Sequence, residues 1–221
     1  MFYVSHCQPS TPYLFFIARR IIRMLVSQYE LLINKSQFPK PGDLNFPTPL
    51  PPEEQEELEA ALGALSREVI QGYFLTISNL SNKEVSLVIS FRVVTNDNES
   101  SFDGSTVAAV FDVNGINQTI DLITSNPQTR NYVISLPAKD TGLFIVQPNP
   151  GFIIDADKEI EIRGYVDVSV LLNDGGEEID LLLTPEHRGT FYKRTDSGLD
   201  QLDQIVYSLP TANGGSLFKL K

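Results

Sequence analysis

The stretch GYFLTISNLSNKEVSLVISFRV, residues 72–93, decides the fold class. Apolar and polar side chains alternate from Tyr73 to Ser78, the polar segment NLSNK follows, and the alternation resumes up to Val93. Successive side chains of a strand point to opposite faces of the sheet, so each run predicts a strand with one buried face. The polar break is typical of a turn. The stretch therefore predicts an antiparallel hairpin in a sheet that packs on another layer.

The same pattern continues downstream. TVAAVFDV and QTIDLI flank Asn114-Gly115, which is a strong hairpin signal because both turn residues tolerate positive φ. The long run at residues 159–172 predicts a central strand, in which Gly164 marks a bulge or bend. Turn-forming segments, including TPEHRG at residues 184–189, separate the other runs. About ten short strands without alternating helices predict an all-β, mainly antiparallel fold: a two-sheet β-sandwich that resembles immunoglobulin-like domains in its early strands.

A proline-rich connector and an acidic helix precede these strands. Six prolines lie between Phe38 and Pro52, and proline favours an extended chain. Proline also suits the first turn of a helix, and the glutamates at residues 53–57 complement its positive end. We therefore predict a helix over residues 52–68 with one buried and one acidic face. The chain divides into an N-terminal arm and connector, residues 1–50, and a β-sandwich domain, residues 51–221.

The arm itself allows two interpretations. Apolar side chains recur at steps of three and four from Leu14 to Leu32, which predicts an amphipathic helix that docks on the body or on another protein. Alternatively, translation starts at Met24 and residues 1–23 are a mis-annotated start, because Met1 and Met24 are the only methionines.

Aromatic side chains in and beside the arm are candidate anchors for a partner, because interface cores favour aromatic rings. The alternative is that they cover the sandwich of their own chain. The candidates are Phe15, Phe16, Tyr29 and Phe46.

Composition limits the classes of partner. The 221 residues are 42% hydrophobic and 20% charged, which is typical of a globular protein. The net charge of −11 argues against nucleic acids and anionic membranes, so we expect a protein partner or self-association. No apolar run reaches the roughly 20 residues of a membrane span, and arginines interrupt the one segment that resembles an export signal. With a single cysteine there is no disulfide framework, and we expect a cytoplasmic protein.

Catalytic signals are few. His187 is the only histidine outside the arm, and it would have to serve as the base of any Ser-His-Asp arrangement. No G-x-S-x-G segment accompanies it, so we interpret His187 as the polar tip of a turn. Phosphate-binding glycine loops are also absent, and we predict no cofactor.

Two acidic loops are weak candidates for calcium, because calcium prefers several oxygen ligands. Neither loop has EF-hand spacing, and we favour solvated hairpin turns, because Asp and Asn are turn formers in their own right. Their acidic residues are Asp97, Glu99, Asp103, Asp174, Glu177 and Glu178.

Taken as a whole, the sequence favours a non-catalytic β-sandwich module that acts in protein binding or assembly. The alternatives are a hydrolase with its site in the end loops, at His187 or a carboxylate pair, and a calcium- or ligand-binding module.

Overall fold

A computed structural model of the chain describes residues 23–36, 50–94, 102, 106–126, 128–153, 158–171, 178–195 and 198–220. All strand pairs in these ranges are antiparallel, so the predicted all-β, mainly antiparallel class is confirmed. The described residues form β1 (Arg23–Ser36), α1 (Pro52–Leu65), β2 (Glu68–Asn79), β3 (Val85–Val93), β4 (Val107–Val113), β5 (Ile116–Thr119), β6 (Ile123–Asn126), β7 (Thr129–Leu136), β8 (Thr141–Pro148), a 3-10 turn (Pro150–Ile153), β9 (Ile160–Val170), β10 (Ile179–Thr195), β11 (Gly198–Ser208) and β12 (Leu217–Leu220).

The strands form one hydrogen-bonded sheet that curls around its own core. Its main path runs β5-β4-β8-β2-β1-β9-β3-β7-β6, while β10 joins β2 and carries β11 and β12. Aromatic side chains from strands that are distant along this path pack against each other in the core. The ring centroids of Tyr132 on β7 and Phe144 on β8 are 5.4 Å apart. Tyr73 on β2 and Phe91 on β3 lie 5.6 Å apart in the same way. Curling therefore buries one face of most strands without a separate layer of helices.

The predicted hairpin at residues 72–93 is wrong, although its two strands are present. β2 pairs with β1, β8 and β10, whereas β3 pairs with β7 and β9. The connection therefore crosses from one portion of the curled sheet to another instead of joining neighbours. Asn79 stabilises this crossing, because its buried side-chain amide donates to the carbonyls of Lys83, Leu136 and Pro137. Turn-forming residues thus mark the connection but do not determine which strands pair.

The second predicted hairpin forms at Asn114-Gly115, but its second strand covers Ile116–Thr119 instead of the predicted residues 118–123. β4 and β5 pair antiparallel, with Val113 opposite Ile116. Asn114 and Gly115 between them have φ of 55° and 70°. Positive φ at both central residues matches the twist of the flanking strands, which explains why this local signal was sufficient.

The long run at residues 159–172 forms a central strand, as predicted, but without the expected bulge. β9 lies between β1 and β3. Its pairing with β1 continues through Gly164 without a shift in register there, and its pairing with β3 ends at Gly164, opposite Val93. A Cβ atom at Gly164 would lie 1.7 Å from the carbonyl oxygen of Arg92 on β3. The glycine therefore permits a close approach of two backbones.

The helix predicted from Leu14 to Leu32 is wrong over residues 23–32, which belong to β1. This strand lies between β2 and β9 and pairs with β9 over most of its length. Tyr29, Leu31 and Ile33 are buried in the core at alternate positions. The apolar residues of this segment fit a strand when every second one is counted, and fit a helix when steps of three and four are counted. Pairing with β2 and β9 makes the segment a strand.

The predicted acidic helix is present as α1, from Pro52 to Leu65. None of its side chains is buried, so the expected buried face is wrong. Its contacts with the body are polar, as where the Lys193 ammonium donates to the carbonyl of Gly63 over 3.2 Å. No helix in the described part of the chain has the length and hydropathy needed to cross a membrane.

The turn predicted at residues 184–189 is also wrong. β10 is 17 residues long, and the predicted turn lies within it as regular strand. Pro185 is tolerated there for a local reason. Along this edge of β10, β12 pairs as far as Leu182 and β11 pairs from Glu186 onward, which leaves a gap between them. The Pro185 carbonyl lies in this gap and accepts a hydrogen bond from the N–H of Leu209. The missing N–H of proline faces the same gap, so no ladder hydrogen bond is lost.

Candidate functional site

β11 is the most exposed long element in the described part of the sheet. All eleven of its residues are exposed, and it pairs only with β10. The other strands with one described neighbour, β5, β6 and β12, have four residues each. An edge strand presents a row of unpaired N–H and C=O groups, and natural proteins usually keep such edges short or cover them. β11 is nearly three times longer than the other edges.

The regular part of β11 is Leu202–Ser208. A shift in the β10–β11 register between Phe191 and Lys193 places one extra residue of β11 near Gln201, whose φ is 51°. After this bulge the pairing is uniform to Ser208. We call the side of Leu202–Ser208 that faces away from β10 the β11 edge. At about 3.4 Å per residue, it is roughly 24 Å long.

The β11 edge carries apolar side chains on both faces. Leu202 is 61% exposed and Val206 is 60% exposed, at alternate positions of one face. Ile205 and Tyr207 lie on the other face and are also exposed. Large apolar side chains scattered singly are ordinary on a surface, but here four lie within seven residues of one edge strand.

Two polar contacts hold β11 against the body. The Arg67 guanidinium forms an ion pair with the Asp203 carboxylate. At the other end, the Tyr207 hydroxyl lies 2.9 Å from Nδ1 of His187 and donates to Oε1 of Gln71 over 3.1 Å. The contacts to Arg67 and Gln71 connect β11 to residues outside its partner strand β10.

His187 belongs to a closed ring of hydrogen bonds. The backbone N–H of Glu30 donates to Nε2 of His187 over 3.0 Å, which requires an unprotonated Nε2. Nδ1 then carries the proton and donates to the Tyr207 hydroxyl. Gln71 closes the ring, because its Nε2 donates to Oε2 of Glu30 over 3.2 Å. The ring thus assigns one tautomer to a neutral imidazole.

The protonation of this ring follows from burial. Burial lowers the pKa of His187 below its ordinary value, and the nearby Glu30 carboxylate offsets the effect only in part. Burial also raises the pKa of Tyr207. Both groups are therefore neutral near pH 7, in agreement with the hydrogen-bond geometry.

An open cleft of about 840 Å³ lies beside His187, between β1, β9 and the segment that follows β11. Its walls include the exposed apolar side chains of Leu25, Val94 and Tyr165. Arg163 donates from Nε to Oε1 of Glu30 over 2.5 Å across the same wall. Both nitrogens of His187 are already bound within the protein, so the imidazole has no free lone pair with which to act as a base in this cleft.

Of the partner-binding and calcium candidates from the sequence, Tyr29 and Glu178 lie among the described residues. Tyr29 is buried within its own chain, where its ring packs 4.9 Å from that of Phe91. Glu178 accepts a hydrogen bond from the Lys219 ammonium over 2.7 Å. The other partner-binding and calcium candidates lie outside the described residues: Phe15, Phe16, Phe46, Asp97, Glu99, Asp103, Asp174 and Glu177. No cluster of three or more histidine, cysteine or acidic side chains with metal-binding geometry occurs among residues that the structure describes.

The sequence did not reveal the exposed edge at β11. The segment LDQLDQIVYS has two aspartates and no strict alternation, and its tyrosine and β-branched residues indicate a strand and nothing more. Whether a strand has one neighbour or two depends on the arrangement of the rest of the chain. No protein-family model matches this sequence, and no curated protein matches it significantly.

Proposed function

We propose that this protein is a non-catalytic β-sandwich module that acts in protein binding or assembly, and that β11 is its contact element. The observation that carries the proposal is the length and exposure of β11. An incoming strand at such an edge gains main-chain hydrogen bonds along its length, while pockets between alternate side chains provide specificity.

The side chains of the β11 edge support this function. Leu202 and Val206 project from the same face, so a single added strand covers both. Removing apolar area from water contributes about 25 cal/mol per Å². The hydrogen bonds to His187 and Gln71 hold Tyr207 in place before binding, which reduces the entropic cost of ordering the strand.

The immunoglobulin-like arrangement of two sheets is part of this proposal. It is supported by the ring contacts of β2 with β3 and of β7 with β8, which place two portions of the curled sheet face to face. The single cysteine supports a cytoplasmic location, because such a chain needs no oxidising compartment to fold.

A hydrolase is the alternative from another class, and the cleft beside His187 is its best location. The hydrogen-bond ring argues against it, because Nε2 of His187 already accepts from a backbone N–H. Calcium binding is the remaining alternative. Of its candidate ligands, Glu178 is engaged by Lys219.

The test is a lysine substitution on the β11 edge. Lysine disfavours strand pairing at an edge, so Val206→Lys should weaken association of the full chain by about tenfold or more. Light scattering measures the particle mass of the purified protein, and mass spectrometry identifies the complexes that the tagged chain forms in cells. Because Val206 is exposed, the fold should survive, and circular dichroism checks this.

Ile116→Lys is the matched control. Ile116 is an apolar strand residue that is 61% exposed, but it lies on the short strand β5. We expect this variant to associate like the wild type. If Val206→Lys keeps the same particle mass and the same complexes as the wild type, β11 is not the contact element.

A further inference from the structure

β11 has a composition that suits pairing with its own copy. When two copies of a strand pair antiparallel about a two-fold axis, the corresponding faces of both copies lie on the same side of the joined sheet. Residues that lie opposite each other are therefore both even-numbered or both odd-numbered. With Gln204 on the axis, Leu202 of each copy lies opposite Val206 of the other. The two most exposed apolar side chains of the strand then cover each other twice, as cross-strand pairs at about 5 Å.

The same register separates the acidic side chains. Asp203 lies opposite Ile205 of the other copy. Moving the axis by one residue to Asp203 would place two carboxylates opposite each other, which is destabilising. An axis at Ile205 would place Leu202 opposite Ser208 and lose the apolar pair. Of these three axes, only the one at Gln204 pairs Leu202 with Val206 and keeps the two Asp203 carboxylates apart.

Charge within the chain also favours a second copy over a basic partner. Asp203 is already paired with Arg67, and Asp200 lies opposite Lys193 in the β10–β11 register. The Asp203 carboxylate, which lies within the regular part of the strand, therefore already has a cation of its own chain and does not require a positively charged partner.

We propose that the partner of β11 is β11 of a second copy, so that two sheets join across a two-fold axis at Gln204. This inference rests on the proposed function and names its partner. Strand pairing adds main-chain hydrogen bonds over Leu202–Val206, and the apolar contacts lie on the outer face of the joined sheet. Such an interface is isologous and closes as a dimer.

A cysteine placed on the axis tests the geometry. Cys7 is the only cysteine, so Cys7→Ser provides a background without thiols. Gln204→Cys then lies opposite its own copy, at a separation of about 4.5–5.5 Å between Cα atoms, which suits a disulfide. Mild oxidation of the purified full chain should yield a covalent species of twice the 24.6 kDa of one chain.

Ser208→Cys in the same background is the matched control. It is an exposed residue of the same strand, but in this register it lies eight residues, or about 27 Å, from its own copy. We expect cross-linking at least about tenfold slower than for Gln204→Cys. Equal cross-linking of the two variants, or none with Gln204→Cys, overturns the proposed pairing.

The outcomes separate this inference from the proposed function. If the purified chain remains at 24.6 kDa at all concentrations while Val206→Lys loses a complex that Ile116→Lys keeps, β11 binds another protein and the second copy is the wrong partner. If Val206→Lys keeps every complex, both proposals fail. A concentration-dependent dimer that cross-links through Gln204→Cys supports both.

Discussion

Gly164 shows how one residue controls the spacing of two strands. The Cβ of any other residue would lie 1.7 Å from the Arg92 carbonyl oxygen and 2.8 Å from its carbonyl carbon. Backbone atoms cannot move aside as a side chain can. We expect Gly164→Ala to lower the free energy of unfolding by roughly 3 kcal/mol, measured by chemical denaturation.

Gly189→Ala on β10 is the control for that substitution. A Cβ there meets its nearest neighbour, the carbonyl oxygen of Ile70, at 3.4 Å, which is ordinary van der Waals contact. This variant should change the free energy of unfolding by less than about 1 kcal/mol. Similar losses for both variants would show that close approach at Gly164 is unimportant.

His187 predicts a pH dependence of stability. Burial places its folded-state pKa below the ordinary 6.5, so the unfolded chain binds more protons in this range. The free energy of unfolding should therefore decrease as the pH falls from about 6.5 to the folded-state pKa, by at most about 1.4 kcal/mol per pH unit. Above 6.5 the group has no effect. Denaturant titrations from about pH 7.5 to about pH 5 measure this slope.

His187→Gln isolates the contribution of the imidazole. A glutamine amide can accept from the Glu30 N–H and donate toward Tyr207, but it does not titrate. We expect the variant to lose the slope assigned to His187 while retaining most of the stability near pH 7. A slope identical to that of the wild type would assign the acid sensitivity to other groups.

Among the elements, the connections between strands depend on Asn79. Its amide bonds to the carbonyls of Leu136 and Pro137 link the β2–β3 connection to the β7–β8 connection. Asn79→Leu removes the three hydrogen bonds that this buried amide donates, and losing a buried hydrogen-bond partner costs about 1–3 kcal/mol. We expect a loss of about 3 kcal/mol in the free energy of unfolding, measured by thermal and chemical denaturation.

Asn82→Leu provides the comparison within the same connection. Asn82 is exposed, so its replacement should change stability by less than about 0.5 kcal/mol. The prediction fails if the two leucine variants are equally stable.

The elements that were predicted correctly have local causes. Proline and glutamates at the start of α1, and Asn114-Gly115 between β4 and β5, act through contacts of a few residues. The errors at β1 and β10 occurred where distant strands override local preference. Pro185 is a turn former in isolation, but a gap between β11 and β12 accommodates it within a strand.

For the whole molecule, the proposed assembly through β11 predicts that stability depends on concentration. Only folded chains form the dimer, so a higher protein concentration shifts the folding equilibrium toward the native state. We expect the Tm of the wild type to increase over about a hundredfold range of concentration, followed by scanning calorimetry. The Tm of Val206→Lys should not change. A Tm that is independent of concentration for the wild type would contradict self-association.

The sequence by itself determined that the chain is all-β, that α1 and the β4–β5 hairpin form, and that β9 is central. These features follow from the alternation of side chains and from backbone preferences of neighbouring residues. The tertiary structure alone decided that β2 and β3 separate, that β1 enters the sheet, that His187 is buried in a hydrogen-bond ring, and that β11 remains exposed. The physical reason is that strand pairing joins residues far apart in the chain, and a strand's own sequence does not specify which edge it meets.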